Sequence, residues 1–412
     1  MGSEMCIRDS QYRGILYPYI INRANHVAIF FGVSVTSIVY TTQLLLVFCS
    51  SCFLSWAVLW SKGEANERYK RKLPVVLIGI VVLSNPLVAH FSLTVLTDSI
   101  ASSLTMLFLG CLLMVYQGVK KQIYFLMMAI LCLFFMSLLR VDKLYYGVVV
   151  FVVFTILLYF KRYDIKILLF SVLLLLITIL GVAIVNRYTQ VYNIERPSLN
   201  VSNLAFNRIV WPRMSDAHEY FSEELKKKIT IEDAKKFDEH NNNVYPFLTK
   251  TLKEDNGDKV ISDITFSALK HFPIRIAARI AFDFTKYSLP NIAFPLEVYG
   301  VIPESTATSW TLSRMGMHKP LLTNVYMLLG AMSTCGMLLY MFFAFNRMKK
   351  SGISYIRKPA VAYIIFFAIV VNSALFALEA GMDAHIRYAL PSYTIILTLI
   401  STFFMGRIFY GK

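Results

Sequence analysis

Charged residues are scarce in this chain, and long parts of it contain almost none. They make up 16% of the 412 residues, whereas hydrophobic residues make up 57% and the mean hydropathy is +0.57. A soluble domain has about 25% charged residues, so this composition excludes an ordinary soluble protein. It is typical of a chain that crosses a membrane several times.

Cysteine is absent from residues 187–320, the longest connection between apolar stretches. Cys6 lies near the start, and the other cysteines lie inside apolar stretches, at Cys49, Cys52, Cys111, Cys132 and Cys335. This distribution implies no disulfide framework. Cys49 and Cys52 form a C-x-x-C, which in an apolar helix without a redox domain we interpret as buried packing.

A nucleotide-binding loop is also missing. The sequence has no G-x-x-x-x-G-K-[ST], the loop whose backbone N–H groups hold nucleotide phosphates. Its absence argues against an enzyme that uses ATP or a nucleotide sugar.

What the chain does have is a series of apolar stretches near the roughly 20 residues that a spanning helix needs. We predict spanning helices at 36–60, 74–95, 99–117, 123–139, 144–160, 167–186, 321–345, 359–378 and 388–406. The first six form an N-terminal bundle over 36–186, and the last three form a C-terminal bundle over 321–412. The expected fold is an all-α polytopic membrane protein with about nine transmembrane helices and one large exported, α-rich loop at 187–320.

Lysine and arginine cluster in alternate connectors, which predicts how the helices are oriented. The connectors 61–73 and 346–358 are rich in both residues. Cytoplasmic loops carry such an excess, so these two connectors are expected in the cytoplasm. The ends and connectors that share their side carry Lys120, Lys121, Lys161, Arg162, Lys166 and Arg407. The connectors 96–98, 140–143, 187–320 and 379–387 are expected on the exported side. The net charge of +16 therefore reflects membrane topology, and no binding to nucleic acid is expected.

The start of the chain does not fit this assignment of connectors to the two sides of the membrane. Residues 1–10 are an unassigned leader without the apolar core of a signal peptide, yet Gln11 falls on the exported side. We therefore expect that one N-terminal span is missing from this chain. Residues 11–35, where Arg13 and Arg23 interrupt the apolar residues, are predicted to be an interfacial segment that does not cross the membrane.

The exported loop domain, 187–320, carries helix signals. Thr230 and Asp233 have the spacing of a capping box. Residues 262–287 predict an amphipathic helix, in which Arg275 and Arg279 alternate with apolar residues. This helix either lies along the membrane surface or packs on the rest of the loop, and the sequence leaves both open.

Ionisable residues at the exported ends of the helices are the candidates for chemistry. Carboxylates can act as general bases or bind a metal ion, and cations hold phosphate through charge-assisted hydrogen bonds. The candidate catalytic residues are Asp98, Asp142 and Asp383, and the candidate substrate- or phosphate-binding residues are Arg140, Lys143, Arg187, Glu379, His385 and Arg387. Each taken singly is more simply a loop charge, but Asp98 differs because it lies in a very short turn between apolar helices.

Several short motifs occur in a fixed order along the chain. They are YRGILYP at 12–18, LTVLTD at 93–98, LLR at 138–140, NRY at 186–188, HFP at 271–273 with Arg275, and RYALP at 387–391. The order resembles that of the multi-span GT-C glycosyltransferases, in particular the group similar to protein mannosyltransferases, aminoarabinose transferases and lipid A galacturonosyltransferases. The resemblance covers about residues 11–408.

The resemblance implies an activity and roles for particular residues. Enzymes of this family move a sugar from a polyprenyl-phosphate donor to a lipid, glycan or protein acceptor on the exported side. By resemblance Asp98 matches the second acidic position of the family, Arg140 and Arg187 are phosphate contacts, and Arg387 closes the donor site. The first acidic residue of the family has no counterpart here, and Asp9 is not assigned to that position.

Such a site needs little besides carboxylates and cations. A polyprenyl-phosphate sugar already has a good leaving group, so we expect inverting transfer by direct attack of the acceptor. No organic cofactor is implied and no metal ligand is assigned, although a divalent cation stays open. The expected partners are the lipid-linked donor, the acceptor and membrane lipids.

Other classes stay open. An O-antigen polymerase or ligase would also place arginines and a large loop on the exported face, and only the order of the motifs favours the transferase. A transporter would have ionisable groups near the bilayer midplane, where this chain has almost none, His90 near an outer end being the exception. A membrane scaffold is the third alternative. The lack of exported cysteines and of a retention signal favours a bacterial inner (plasma) membrane.

Overall fold

The described residues of the computed structural model form a bundle of helices and contain no strand. The structure describes residues 16–60, 72–93, 97–119, 121–140, 142–160, 165–192, 215, 218–240, 270–274, 277, 368–373 and 385–410. The helices are α1 (Leu16–Phe31), α2 (Val35–Trp60), α3 (Lys72–Ser84), α4 (Pro86–Ser92), α5 (Thr97–Tyr116), α6 (Gln122–Leu139), α7 (Asp142–Phe160), α8 (Ile165–Tyr192), α9 (Glu223–Lys228), α10 (Ile231–His240) and α11 (His385–Tyr410). The predicted all-α class is therefore confirmed for this part of the chain.

Within the part of the chain that the structure describes, four helices are long and apolar enough to cross a membrane, which indicates a membrane protein. They are Val35–Leu59, Thr97–Tyr116, Gln122–Leu139 and Ile167–Ile184, and each coincides with a predicted span. The apolar parts of α7 and α11 are shorter, at Lys143–Tyr159 and Leu390–Met405. The predicted spans 321–345 and most of 359–378 lie outside the described residues, so the full set of nine spans stays a prediction.

The bundle has apolar side chains outside and hydroxyl groups inside, which is the reverse of a soluble bundle. The exposed face of α8 is apolar, with Leu169, Val172, Leu173, Leu176, Ile177, Leu180 and Ile184. In α5 the buried side chains include Ser102 and Thr105, whose hydroxyls donate to backbone carbonyls one turn earlier at 2.7 Å. Lipid rather than water suits such an outer surface, and small hydroxyl residues suit close helix packing in a membrane.

Helix α5 is the centre of the bundle. Nearly all of its side chains are buried, and it packs against α2, α6 and α11. Gln117, just past the end of α5, donates to the Ala57 carbonyl near the end of α2 at 2.8 Å, so α2 and α5 run in the same direction. Thr398 of α11 lies beside Met106 of α5, with 3.7 Å between its Oγ1 and the methionine Sδ.

The predicted span 74–95 is not one helix. Helix α3 ends at Ser84, and α4 begins at Pro86. Proline has no N–H to continue the hydrogen bonding of α3, but it fits the first position of a new helix. Asn85 caps that helix, because its Oδ1 accepts a hydrogen bond of 3.4 Å from the Val88 N–H.

Residues 16–31 of the predicted interfacial segment form α1. This helix packs against α2 and buries Tyr17, Ala24 and Ala28, whereas Phe30 and Phe31 are exposed. An amphipathic helix with exposed aromatic rings is compatible with an interface. Its location there stays a prediction, and residues 1–15 lie outside the described part.

The capping box predicted at Thr230 and Asp233 is confirmed. The Thr230 N–H donates to Asp233 Oδ2 at 3.1 Å, and the Asp233 N–H donates to Thr230 Oγ1 at 3.2 Å. These reciprocal bonds begin α10. Of the predicted helix 262–287, the structure describes only residues 270–274 and 277, among which the His271 ring stacks on Tyr220 at 4.0 Å between centroids.

Candidate functional site

Asp98 and Arg140 form an ion pair where two helices of the bundle meet. Asp98 lies in the first turn of α5, and Arg140 follows the last residue of α6. Arg140 Nη1 donates to Asp98 Oδ1 at 2.7 Å, and the side chains are 11% and 2% exposed. A charge-assisted bond of this length, shielded from water, is among the strong hydrogen bonds of proteins.

The local fold explains why these two side chains meet. The Arg140 backbone is extended (φ −152°, ψ 121°), and its N–H still donates to the Met136 carbonyl, so the helix ends at this residue. The Arg140 carbonyl then accepts a 3.1 Å bond from the Lys143 N–H, which turns the chain directly into α7. This turn holds the backbone of Arg140 in place, so that its side chain reaches Asp98 of α5.

Residues that adjoin Asp98 and Arg140 in the sequence are buried in contacts with other helices. Tyr17 of α1, Ile100 of α5 and Leu139 of α6 form a buried cluster at the same end of the bundle. Ser92, at the end of α4, lies 3.2 Å from Ser99, measured between the hydroxyl oxygens. These contacts bring α1, α4, α5 and α6 together at the residues that adjoin Asp98 and Arg140 in the sequence.

Lys143 is buried as well, although the sequence favoured an ordinary loop charge. It is 1% exposed, and its Nζ donates to Asn372 Oδ1 at 2.8 Å. The same ammonium lies 5.5 Å from the centre of the Tyr146 ring, within the range of a cation–π interaction. Asn372 Nδ2 donates in turn to Ser392 Oγ of α11 at 2.9 Å.

A second polar link joins α11 to the break between α3 and α4. Asn85 Nδ2 donates to the Tyr393 hydroxyl at 2.7 Å, and both residues are buried. Pro391 lies inside α11 and has no N–H for the carbonyl of Arg387, four residues earlier. The Arg387 carbonyl therefore cannot accept the usual backbone hydrogen bond of an α-helix.

The structure brings together three of the predicted site residues, Asp98, Arg140 and Lys143, at one end of the bundle. The other predictions are less completely described. The backbones of Asp142, Arg187, His385 and Arg387 lie in α7, α8 and α11, but their side chains lie outside the described part, and Asp383 and Glu379 lie outside it altogether.

Four residues of this end were missed by sequence reasoning: Asn85, Asn372, Ser392 and Tyr393. Asn85 had a signal, because Asn-Pro inside an apolar stretch favours a turn. Asn372 had a weaker one, since a single amide in an apolar segment must find a hydrogen-bond partner in the membrane. Ser392 and Tyr393 adjoin the RYALP motif, but nothing in their pattern identifies their partners.

The arrangement can neutralise an anion and can accept a proton. Arg140 offers a planar group of N–H donors that suits phosphate, Lys143 adds a second cation, and Asp98 is a carboxylate acceptor. Among the side chains that the structure describes, no group of three or more histidine, cysteine, aspartate or glutamate residues is placed to hold a metal ion.

Comparison with protein-family models, with curated proteins and with solved structures found no match to this chain.

Proposed function

We propose that this protein is an integral-membrane glycosyltransferase of the GT-C type, which moves a sugar from a polyprenyl-phosphate donor to a lipid, glycan or protein acceptor. The observation that carries the proposal is the buried pair of Asp98 and Arg140, with Lys143 one turn further along the chain. Transfer from a lipid-phosphate donor requires cations for the phosphate and a proton acceptor, and Arg140, Lys143 and Asp98 are groups of these kinds.

In the proposed reaction, a hydroxyl group of the acceptor attacks the anomeric carbon of the sugar. The bond between that carbon and the phosphate oxygen breaks, and the polyprenyl phosphate leaves with the electron pair. Asp98 takes the proton of the hydroxyl, and Arg140 balances the charge on the departing phosphate. Direct attack of this kind inverts the configuration at the anomeric carbon.

The ion pair suggests how donor binding and proton transfer are coupled in the proposed site. Arg140 is held by Asp98 at 2.7 Å. A phosphate group offers the guanidinium a competing set of acceptor oxygens. In our proposal the incoming phosphate draws Arg140 away, so that Asp98 becomes available to the acceptor hydroxyl only when a donor is present.

The proposal includes a topology and a setting. Nine spans would place the ends that carry Asp98, Arg140 and Lys143 on the exported side of a bacterial inner membrane, together with residues 187–320 and the side chains of Arg187 and Arg387. Asp142, Asp383, Glu379 and His385 would lie at the same ends of the helices and complete the proposed site. No organic cofactor takes part, and a divalent cation could assist the phosphate.

Sugar transfer tests the proposal directly. Membranes that contain the protein are supplied with radiolabelled polyprenyl-phosphate sugars, and label in acceptor fractions is measured for the wild type and for Asp98→Asn. Asparagine keeps an oxygen for Arg140 but cannot take a proton. Transfer that disappears in the variant supports the proposal, whereas wild-type protein that transfers from no donor points instead to a polymerase, ligase or transporter.

A further inference from the structure

Asn372 connects Lys143 to helix α11 through two hydrogen bonds. It accepts from Lys143 Nζ at 2.8 Å and donates to Ser392 Oγ at 2.9 Å. The three residues are 1%, 2% and 0% exposed for Lys143, Asn372 and Ser392. They come from α7, from the helical residues 368–373 and from α11, so the link holds three distant parts of the chain together.

Packing alone does not require an amide at this position. Ala368 and Ile369, one turn before Asn372, are buried in the main hydrophobic core and already hold the helical residues 368–373 in place. A polar side chain in a membrane-buried segment is costly unless it is satisfied, and such residues usually serve a site. The Asn372 amide is thus better explained by its hydrogen bonds to Lys143 and Ser392 than by a need to pack residues 368–373.

The two ends of the link adjoin the proposed donor site. Lys143 follows Arg140 by one turn, with a 3.1 Å backbone bond from the Lys143 N–H to the Arg140 carbonyl. Ser392 lies in the same helix as Arg387, immediately after Pro391. Asn372 therefore joins the turn that carries Arg140 to the helix that carries Arg387.

We propose that Asn372 is a positioning residue, which holds the Lys143 ammonium and α11 in the arrangement that binds the phosphate group of a polyprenyl-phosphate donor. This inference rests on the proposed function. An amide suits the role because its oxygen accepts from the ammonium without adding a negative charge. A carboxylate in its place would compete with the phosphate for the same cation.

Asn372→Asp tests this difference with little change of shape. The full-length protein in lipid nanodiscs is titrated with polyprenyl phosphate, and with polyprenol as the probe that lacks the phosphate. We expect roughly tenfold weaker binding of polyprenyl phosphate, because a charge-assisted contact is weakened. Binding of polyprenol and the temperature of thermal unfolding should not fall, since the new carboxylate pairs with Lys143.

Two further variants separate positioning from a general effect of a buried charge. Asn85→Asp is the matched control, because Asn85 is also buried and bonded to α11, but through Tyr393. It should bind polyprenyl phosphate like the wild type. In a Lys143→Gln background, Asn372→Asp should cause no additional loss, as expected for two residues that act through one contact.

The outcomes distinguish the inference from the function on which it rests. Wild-type protein that binds polyprenyl phosphate no better than polyprenol contradicts the proposed function itself. Wild-type preference for the phosphate that persists in Asn372→Asp, or an equal loss in Asn85→Asp, overturns the role of Asn372 alone. If Asn372→Asp does not fold, Ser392→Ala removes the bond to α11, and unchanged phosphate affinity in that variant overturns the inference.

Discussion

Arg140 Nη1 lies 2.7 Å from Asp98 Oδ1, across the ends of two helices that are joined by a connection at their opposite ends. Both side chains are largely withdrawn from water, at 11% and 2% exposure for Arg140 and Asp98. Buried ion pairs contribute little net stability, since desolvation offsets much of the attraction, but a single charge left behind is costly. The pair is therefore easier to explain by the chemistry that it permits than by the stability that it adds.

The first prediction concerns the difference between removing one charge of this pair and removing both. Arg140→Met should lower the free energy of unfolding by about 3–5 kcal/mol, because Asp98 stays buried without this cation. Asp98→Leu combined with Arg140→Met should cost less than Arg140→Met alone, because no charge is left behind. Unfolding in mixed detergent micelles, followed by circular dichroism, gives both values. A double variant less stable than Arg140→Met would contradict the argument.

The second prediction concerns the packing of α6 on α7. A Cβ atom at Gly147 would overlap Leu133 Cδ1, and Leu133 is fully buried. Gly147→Ala should therefore lower the free energy of unfolding by about 1–3 kcal/mol, as overpacking does. Gly181→Ala is the control, since its Cβ would lie 3.3 Å from the Phe134 ring and needs only a small shift. Equal stability of the two variants would show that Leu133 moves freely.

The third prediction concerns the direction in which the bundle crosses the membrane. Single cysteines at Ser262 and Asp383, introduced after the native cysteines are replaced by alanine, should react with a membrane-impermeant maleimide added from the exported side. Cysteines at Lys70 and Lys349 should react only after the membrane is opened. Labelling of all four positions from the same side would remove the basis for a shared exported site.

The fourth prediction concerns Arg387, at the start of α11. Arg387→Lys should weaken binding of polyprenyl phosphate by about tenfold, because lysine cannot make the bidentate phosphate contact of a guanidinium. Binding of polyprenol is the control for the lipid chain. Unchanged affinity for the phosphate would mean that Arg387 is only a charge at the end of a helix.

The sequence predicts some elements well for a physical reason. Long apolar runs such as 36–60 and 167–186 leave a spanning helix as the simplest structure, and the structure has a helix of suitable length at each. The Thr230 and Asp233 capping box is equally local, since both partners are within one turn. Where three or four neighbouring residues determine the outcome, the sequence is sufficient.

Contacts between residues far apart in the sequence could not be predicted in this way. Asp98 and Arg140 could each be predicted as candidates, but their mutual contact depends on α5 packing against α6. The bond from Lys143 to Asn372 joins residues 229 positions apart, and no local pattern encodes it. The break at Asn85 had a local signal in Asn-Pro, but the apolar residues on both sides favoured a single span at 74–95.

Sugar transfer by wild-type protein and by Asp98→Asn, measured side by side in membranes with radiolabelled polyprenyl-phosphate sugars, tests the central claim most directly. We expect transfer by the wild type, a loss of at least about 100-fold in the variant because the general base is gone, and retained binding of polyprenyl phosphate. Wild-type rates in Asp98→Asn would contradict the claim that this carboxylate accepts the proton of the acceptor.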